Sequence, residues 1–424
     1  MKFNIYTLGC KVNTYESNVM SDHLKNIGYE EVSTEEPADI SIINTCTVTN
    51  SADSKSRKMI HHAIKSNPGA IIVAAGCMTQ NKQEKIEGVD IILGNINKSK
   101  IADYIQEYLK TKEKKYDIQR MDHVEFETMQ LNNFNKTRAF VKIQDGCNNF
   151  CTYCVIPYTR GNVRSKKRDD VLSEVNNLIK QGHKEIVLTG IHTGNYGVEF
   201  EHYKFANLLS ELVQIKGLER LRISSIEMNE LNEEVLEVLK ISPIIVDHLH
   251  IPLQSGSDTV LKRMNRKYNK QNFIDKIEEI RTIRPNISIT TDVIVGFPGE
   301  TEEEFLETID TIKRVNFSKI HVFPYSKREK TAAANLKNQI DGGVKKQRAK
   351  KLIELSKELE INYMNQFIGK QVIFLPEREE DGYLIGHTGN YLLIKTPGTK
   401  EEINQDLKVE ITETKYPYSF AKRI

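Results

Sequence analysis

Three of the six cysteines stand together as Cys147-Asn148-Asn149-Phe150-Cys151-Thr152-Tyr153-Cys154, a C-x3-C-x2-C run. A short loop of this spacing can wrap its thiolates around one soft metal centre. Tetrahedral zinc and cubane iron–sulfur clusters normally take four ligands, and this loop supplies three. A 4Fe–4S cubane held by three thiolates leaves one iron open to a ligand that is not protein; structural or zinc-binding thiols are the alternative. A chain this long with so few cysteines is not a disulfide-built secreted scaffold.

The other three, Cys10, Cys46 and Cys77, lie far apart but in like surroundings. Each follows a short strand-like run, at 3–8, 40–45 and 71–76. Each precedes a helix-like stretch, clearest over 14–27 and 52–65. Strand–Cys–helix, three times over, predicts an open parallel sheet whose thiols sit at the carboxyl ends of the strands, where ligands of such sheets gather. A second three-thiolate cluster is the economical inference, and plain packing of buried cysteine the alternative.

The elements that must position these thiols follow from the rest of the chain. Its 424 residues are 39% hydrophobic and 28% charged, with a net charge of +2, which describes two or three globular domains rather than a disordered or fibrous chain. No apolar stretch approaches the ~18 residues of a membrane span, and the start lacks a secretory pattern, so a cytoplasmic protein is expected. Residues 1–110 read as a doubly wound α/β domain and 111–135 as a polar connection. Over 136–362 the βα rhythm resumes, with strands at 139–143, 185–189, 220–224, 246–251, 288–295 and 319–323. Six βα units fall short of a (β/α)8 barrel and predict a partial (β/α)6 barrel. A long helix over 344–367 turns Leu352, Leu355, Leu359 and Met364 inward. Residues 363–424 read as a small all-β module with strands at 371–375, 382–385, 391–395 and 407–411.

On these residues the chain is identified as a member of the radical S-adenosylmethionine (SAM) methylthiotransferase family. Cys147 to Cys154 resembles the radical SAM signature. Gly9-Cys10-Lys11-Val12-Asn13, Asn44-Thr45-Cys46-Thr47-Val48-Thr49 and Ala75-Gly76-Cys77 resemble the three cysteine motifs of the family's amino-terminal domain, and the last module resembles a TRAM domain. The segment 45–57 is most similar to the MtaB branch, which acts on threonylcarbamoyladenosine next to the tRNA anticodon. Sister branches act on isopentenyladenosine in tRNA or on a ribosomal-protein aspartate; an iron–sulfur RNA-binding sensor is a reading of another class. The resemblance implies two 4Fe–4S clusters and two uses of SAM. The cluster on Cys147, Cys151 and Cys154 would bind SAM and cleave it to a 5′-deoxyadenosyl radical, because an aromatic C–H offers no easy acid–base route and the chemistry falls to a cofactor. The cluster on Cys10, Cys46 and Cys77 would present the sulfur. It also implies tRNA as partner and a low-potential electron donor of flavodoxin or ferredoxin type, with the sulfur source open.

A barrel carries its active site at the carboxyl ends of its strands, which points to Gly190, Ser225, Gln254 and Gly296 as SAM contacts. His192, His248 and His250 read as pocket or packing histidines rather than zinc ligands. Three basic stretches, 160–168, 262–270 and 325–351, carry five, five and nine Lys/Arg and are expected to hold RNA phosphates. The last module is not basic, with eight Lys/Arg and nine Asp/Glu over 366–424; Tyr383, Tyr391, Tyr416, Tyr418 and Phe420 are its candidates for stacking on bases.

Overall fold

The apolar runs that precede the three separate cysteines form neighbouring strands. The computed structural model describes residues 1–122, 124–131 and 137–424. Its first sheet is parallel throughout, in the order Glu30–Glu31, Lys2–Thr7, Ile40–Thr45, Ile71–Gly76, Ile91–Leu93, Lys115–Asp117. Ile40–Thr45 and Ile71–Gly76 are buried along their whole length, as a strand covered on both faces requires. Met20, Leu24, Ile101 and Ile105 of helices Lys11–Asn26 and Ile101–Thr111 cover one face. Ile60 and Ala63 of helix Asn50–Ser66 cover the other. The chain therefore winds both ways from the first strand, and a crevice opens beyond the carboxyl ends of Lys2–Thr7 and Ile40–Thr45, where the order reverses.

One strand lies where a connection was expected. Lys115–Asp117 closes the first sheet on Ile91–Leu93. A three-residue edge strand of charged and aromatic residues has no hydrophobic alternation to reveal it. Met129 and Leu131, in the same polar stretch, are buried in the central core; His123 and 132–135 of that stretch lie outside the described residues.

The central region holds six parallel strands in chain order. Arg138–Lys142, Glu185–Thr189 and Arg220–Ile223 form one ladder, and His248–His250, Ser288–Val295 and Lys319–Pro324 a second. A single parallel bridge, Leu221 to Ile245, and a bond from the Ile226 N–H to the His250 carbonyl join them. The result is an open arc of six βα units, with its outer, helix-covered face filled by residues such as Val141, Leu188, Ile223, Leu249 and Val293, while the alternate residues Ser224, His248, His250, Thr290 and Asp292 line a cavity on the inner side. Helix Gly342–Asn365, capped by Asp341, buries Leu352, Leu359 and Met364 and half-buries Leu355. Five strands then close into a barrel: Gln371–Glu380, Tyr383–Thr388, Leu393–Pro397, Tyr418–Arg423 and Leu407–Lys415. The last strand in sequence, Tyr418–Arg423, was not expected. It buries Ser419 and Ala421 and turns its aromatics outward, the inverse of the pattern that marks a half-buried strand. Among the described residues no helix is long and apolar enough to cross a membrane.

Candidate active site

The C-x3-C-x2-C loop leaves the first barrel strand through Gln144–Asp145 and ends on helix Ile156–Arg160. Gly146 has φ +72°, and a Cβ there would lie 1.9 Å from the Asn162 carbonyl oxygen, so the turn admits glycine alone. Gln144 braces the loop: its amide donates to the Asp145 and Gly146 carbonyls, and its carbonyl accepts the His192 N–H. Thr152 exchanges backbone bonds with Met264 and Ala333. Polar groups converge on the sulfurs. The Asn149 N–H and His192 Nδ1 lie 3.5 Å from Cys147 Sγ, and Arg266 Nη1 lies 3.4 Å from Cys151 Sγ. Burial, then the neighbouring Cys151 and Cys147, pushes the Cys154 thiol up to about 12, so metal binding there must displace a proton.

The second trio comes from three neighbouring strands. Cys10 is the N-cap of helix Lys11–Asn26, Cys46 follows Ile40–Thr45, and Cys77 opens helix Cys77–Lys82. A Cβ on Gly9 would lie 2.9 Å from Cys46 Sγ, and one on Gly76 2.7 Å from the Thr45 carbonyl. Asn13 ties the loops together by donating to the Leu8 and Thr45 carbonyls. Burial, then the nearby Cys77, carries the Cys46 thiol up to about 11. Arg160 Nε lies 3.3 Å from Cys77 Sγ, and Asn95 Nδ2 3.6 Å. All six thiols are unpaired with one another.

Behind this trio lies a buried charge network. Glu16 accepts from Lys98, Lys142 and Arg160, and Asp145 from Lys142, Arg160 and Arg164. Burial would raise the Glu16 carboxyl, but Arg160, Lys142 and Lys98 hold it well below the usual range. Four cations thus meet two carboxylates. A buried surplus of positive charge is costly unless an anion joins it. A thiolate-ligated cluster is such an anion, so this donor set fits one. Among the described residues no three His, Cys, Asp or Glu side chains converge on a single-ion position. A cubane takes one thiolate per iron, so its ligands stand around a volume rather than a point.

Both trios border cavities at the carboxyl ends of the barrel strands. A cavity of about 620 Å³ is lined by Cys10, Lys11, Gly190, Ser225, Asp292 and Tyr391, among others. An adjoining one of about 200 Å³ is lined by Thr49, Tyr153, Cys154, Gln254, Asp292 and Phe323. Asp292 and Phe323 belong to both walls. Gln254 reaches its place in a left-handed conformation, φ +64°. Gly296 does not join Gly190, Ser225 and Gln254: the Lys345 side chain packs over it, and the Glu300 carboxylate accepts its N–H. Tyr391, from the last module, stacks on His248 at 4.6 Å with the Arg222 guanidinium 4.9 Å from its ring. Burial would raise its phenol, but Arg138, Lys11 and Arg222 bring it below the ordinary value.

Sequence reasoning missed His192, Arg160 and Arg266 as neighbours of the sulfurs. Burial lowers the His192 imidazole, yet hydrogen bonds to Cys147 and Glu230 carry it up to about 10. The basic stretch 160–168 is corrected: Arg160, Arg164 and Lys166 are buried, the last paired with Glu174, and only Lys167 and Arg168 reach the surface. In 262–270, Arg263 is paired with Glu304 and Arg266 with Glu227, while Lys262 and Lys267 stay exposed. In 325–351, Arg328 and Arg348 are buried against Asp53 and Glu300. A run of basic letters does not tell which of them are needed inside.

A partial barrel whose first loop carries C-x3-C-x2-C is the architecture of a radical SAM enzyme, and residues 141–312 match the radical SAM superfamily. Residues 2–94 match a family described as uncharacterized protein family UPF0004. The fold is similar to that of the radical SAM methyltransferase TsrM from Kitasatospora setae, at a TM-score of 0.57 and 13% identity over 91% of this chain and 80% of that one. The threonylcarbamoyladenosine tRNA methylthiotransferase MtaB of Bacillus subtilis (strain 168) is 45% identical over 98% of this chain and 94% of its own. The MtaB of Aquifex aeolicus is 40% identical over 95% and 98%. The tRNA-2-methylthio-N(6)-dimethylallyladenosine synthase of Thermoanaerobacter sp. (strain X514) is 37% identical over 97% and 90%. The chain belongs to the radical SAM methylthiotransferase family, in its MtaB branch. It is an enzyme that uses SAM and iron–sulfur chemistry.

Proposed function

We propose that this chain methylthiolates C2 of N6-threonylcarbamoyladenosine beside the anticodon of tRNA, with two 4Fe–4S clusters. The observation that carries the reading is the pair of adjoining cavities, one bordered by Cys10 and the other by Cys154, with Asp292 and Phe323 common to both. Cys147, Cys151 and Cys154 would hold the SAM-binding cluster, and Cys10, Cys46 and Cys77 the other. Bound there, the two centres with SAM supply one-electron cleavage of a sulfonium and a transferable sulfur, chemistry no side chain offers.

The chain's own residues bind, orient and exclude water. Gly190, Ser225 and Gln254 are the SAM contacts. Tyr391 and Phe323 wall the larger cavity. Lys11 borders the same cavity, and its ammonium has no ion pair or hydrogen bond among the described residues. An unpaired cation suits the carboxylate of a threonylcarbamoyl group and not an apolar dimethylallyl chain, which favours the substrate of the MtaB relatives over that of the dimethylallyladenosine enzymes. Lys262 and Lys267, exposed beside the cluster loop, are candidate phosphate contacts. Electrons would come from a flavodoxin- or ferredoxin-type donor.

Mass spectrometry of tRNA nucleosides from cells with and without the gene tests the substrate. The expected outcome is loss of the methylthio form of threonylcarbamoyladenosine alone; loss of the dimethylallyl product instead would overturn it. Anaerobic iron counting tests the centres. About eight irons are expected in the wild type and about four when either cysteine trio is replaced by alanine.

A further inference from the structure

Two of the groups that reach the six sulfurs are arginines, one for each trio. Arg160 Nε lies 3.3 Å from Cys77 Sγ, and Arg266 Nη1 lies 3.4 Å from Cys151 Sγ. Neither is a loose surface cation. Arg160 is fully buried, and its remaining nitrogens are taken by Glu16, Asp145 and Asn13. The Arg266 side chain is 3% exposed and is held by Glu227 and the Tyr268 hydroxyl. A guanidinium stays charged at every working pH and presents its donors in a rigid fork. Such a donor on a cluster sulfur favours the more electron-rich state, because reduction potential follows hydrogen bonds to the sulfurs and local charge. The settings differ. Arg160 is one of four cations that share two carboxylates, while Arg266 is paired with Glu227.

We propose that Arg160 and Arg266 each set the reduction potential of one centre, Arg160 that of the cluster on Cys10, Cys46 and Cys77, and Arg266 that of the cluster on Cys147, Cys151 and Cys154. The inference rests on the two-cluster reading above. Each arginine also has a built-in partner whose removal should act in the opposite sense. Arg160→Gln removes a positive charge and an N–H donor from the sulfur. Glu16→Gln leaves Arg160 in place and strips its counter-charge. Glu227→Gln does the same for Arg266.

The test is a potentiometric titration of the reconstituted full-length protein, followed by electron paramagnetic resonance, with iron and sulfide counted on each sample. Arg160→Gln should move the midpoint of its own centre to more negative values and leave the other where it was. Glu16→Gln should move the same midpoint upward. Arg266→Gln and Glu227→Gln should act likewise on the second centre. A purely structural role would lower iron content or melting temperature without opposite-signed shifts. Unmoved midpoints in fully loaded variants, or shifts of one sign from both members of a pair, overturn the proposal. If an arginine variant fails to load iron, the glutamate variant of the same pair decides by its upward shift or its absence. A wild type with only one cluster would overturn the two-cluster reading instead, and the iron count separates that case from this one.

Discussion

Gly146 and Glu16 carry different parts of the same site, and each makes its own prediction. A methyl group on Gly146 would meet the Asn162 carbonyl at 1.9 Å, and the residue's φ of +72° is costly for any other side chain. Gly146→Ala should therefore displace the cluster loop and lose the iron held by Cys147, Cys151 and Cys154, leaving about four irons per chain. Glu16→Ala would leave Lys98, Lys142 and Arg160 facing one another in the interior. Breaking a buried pair of this kind costs about 3–5 kcal/mol, to be measured by urea unfolding of the cluster-free protein. The sign of the pH dependence follows from the depressed carboxyl. The stabilisation from Glu16 is present above its ordinary value of 4.5 and is lost as the pH falls further, towards its folded-state value. Wild type and Glu16→Ala should therefore converge in stability on acidification. The grouping of the six cysteines, three on one loop and three after neighbouring strands, was visible in spacing and context. The arginines on their sulfurs were not, because a letter in a basic run says nothing about whether its charge is balanced by a distant carboxylate such as Glu16.

Helix Asn50–Ser66 begins four residues after Cys46 and is capped by Thr49, whose hydroxyl accepts the Ala52 N–H. Thr49→Ala should cost about 1 kcal/mol, read as a lower melting temperature with cluster content retained. The same turn is tied to the central region by Arg328, which donates to Asp53 Oδ2 at 2.6 Å and to Thr47 Oγ1 at 2.8 Å. That link was hidden in the sequence, since it joins residues 275 apart. The parallel strands were legible because Ile40–Thr45, Ile71–Gly76 and Ser288–Val295 are near-continuous β-branched or small apolar runs, as fully covered strands demand. Tyr418–Arg423 was not, because a small barrel takes small residues inward where its walls come close, and Ser419 and Ala421 carry no hydrophobic signal.

The larger cavity is built by all three parts of the chain: Cys10 and Lys11 from the first sheet, Gly190 and Ser225 from the barrel strands, and Tyr391 from the terminal module. Tyr391 was one of five aromatic candidates of the terminal module for stacking on RNA bases. It is wedged between His248 and His387 at 4.6 Å from each ring and lines the cavity. Tyr391→Ala should open that wall, giving full iron loading but a reduced yield of methylthiolated nucleoside, measured by mass spectrometry of tRNA incubated with the purified enzyme. Normal yield would mean that the terminal module only docks here. The module's sequence showed its β character, but not its role as a wall, since that depends on a contact with a strand more than a hundred residues earlier.

The buried network around Glu16 also bears on how the protein is made. Glu16 and Lys98 leave the ribosome well before Lys142, Asp145, Arg160 and Arg164, yet all six groups end in one dry interior. A nascent chain halted after its first sheet has emerged holds Glu16 with Lys98 alone and an unfilled gap where Arg160 belongs. Synthesis from the amino end usually lets a leading domain fold first; here the leading sheet has to wait for the loop that follows it before its interior can close.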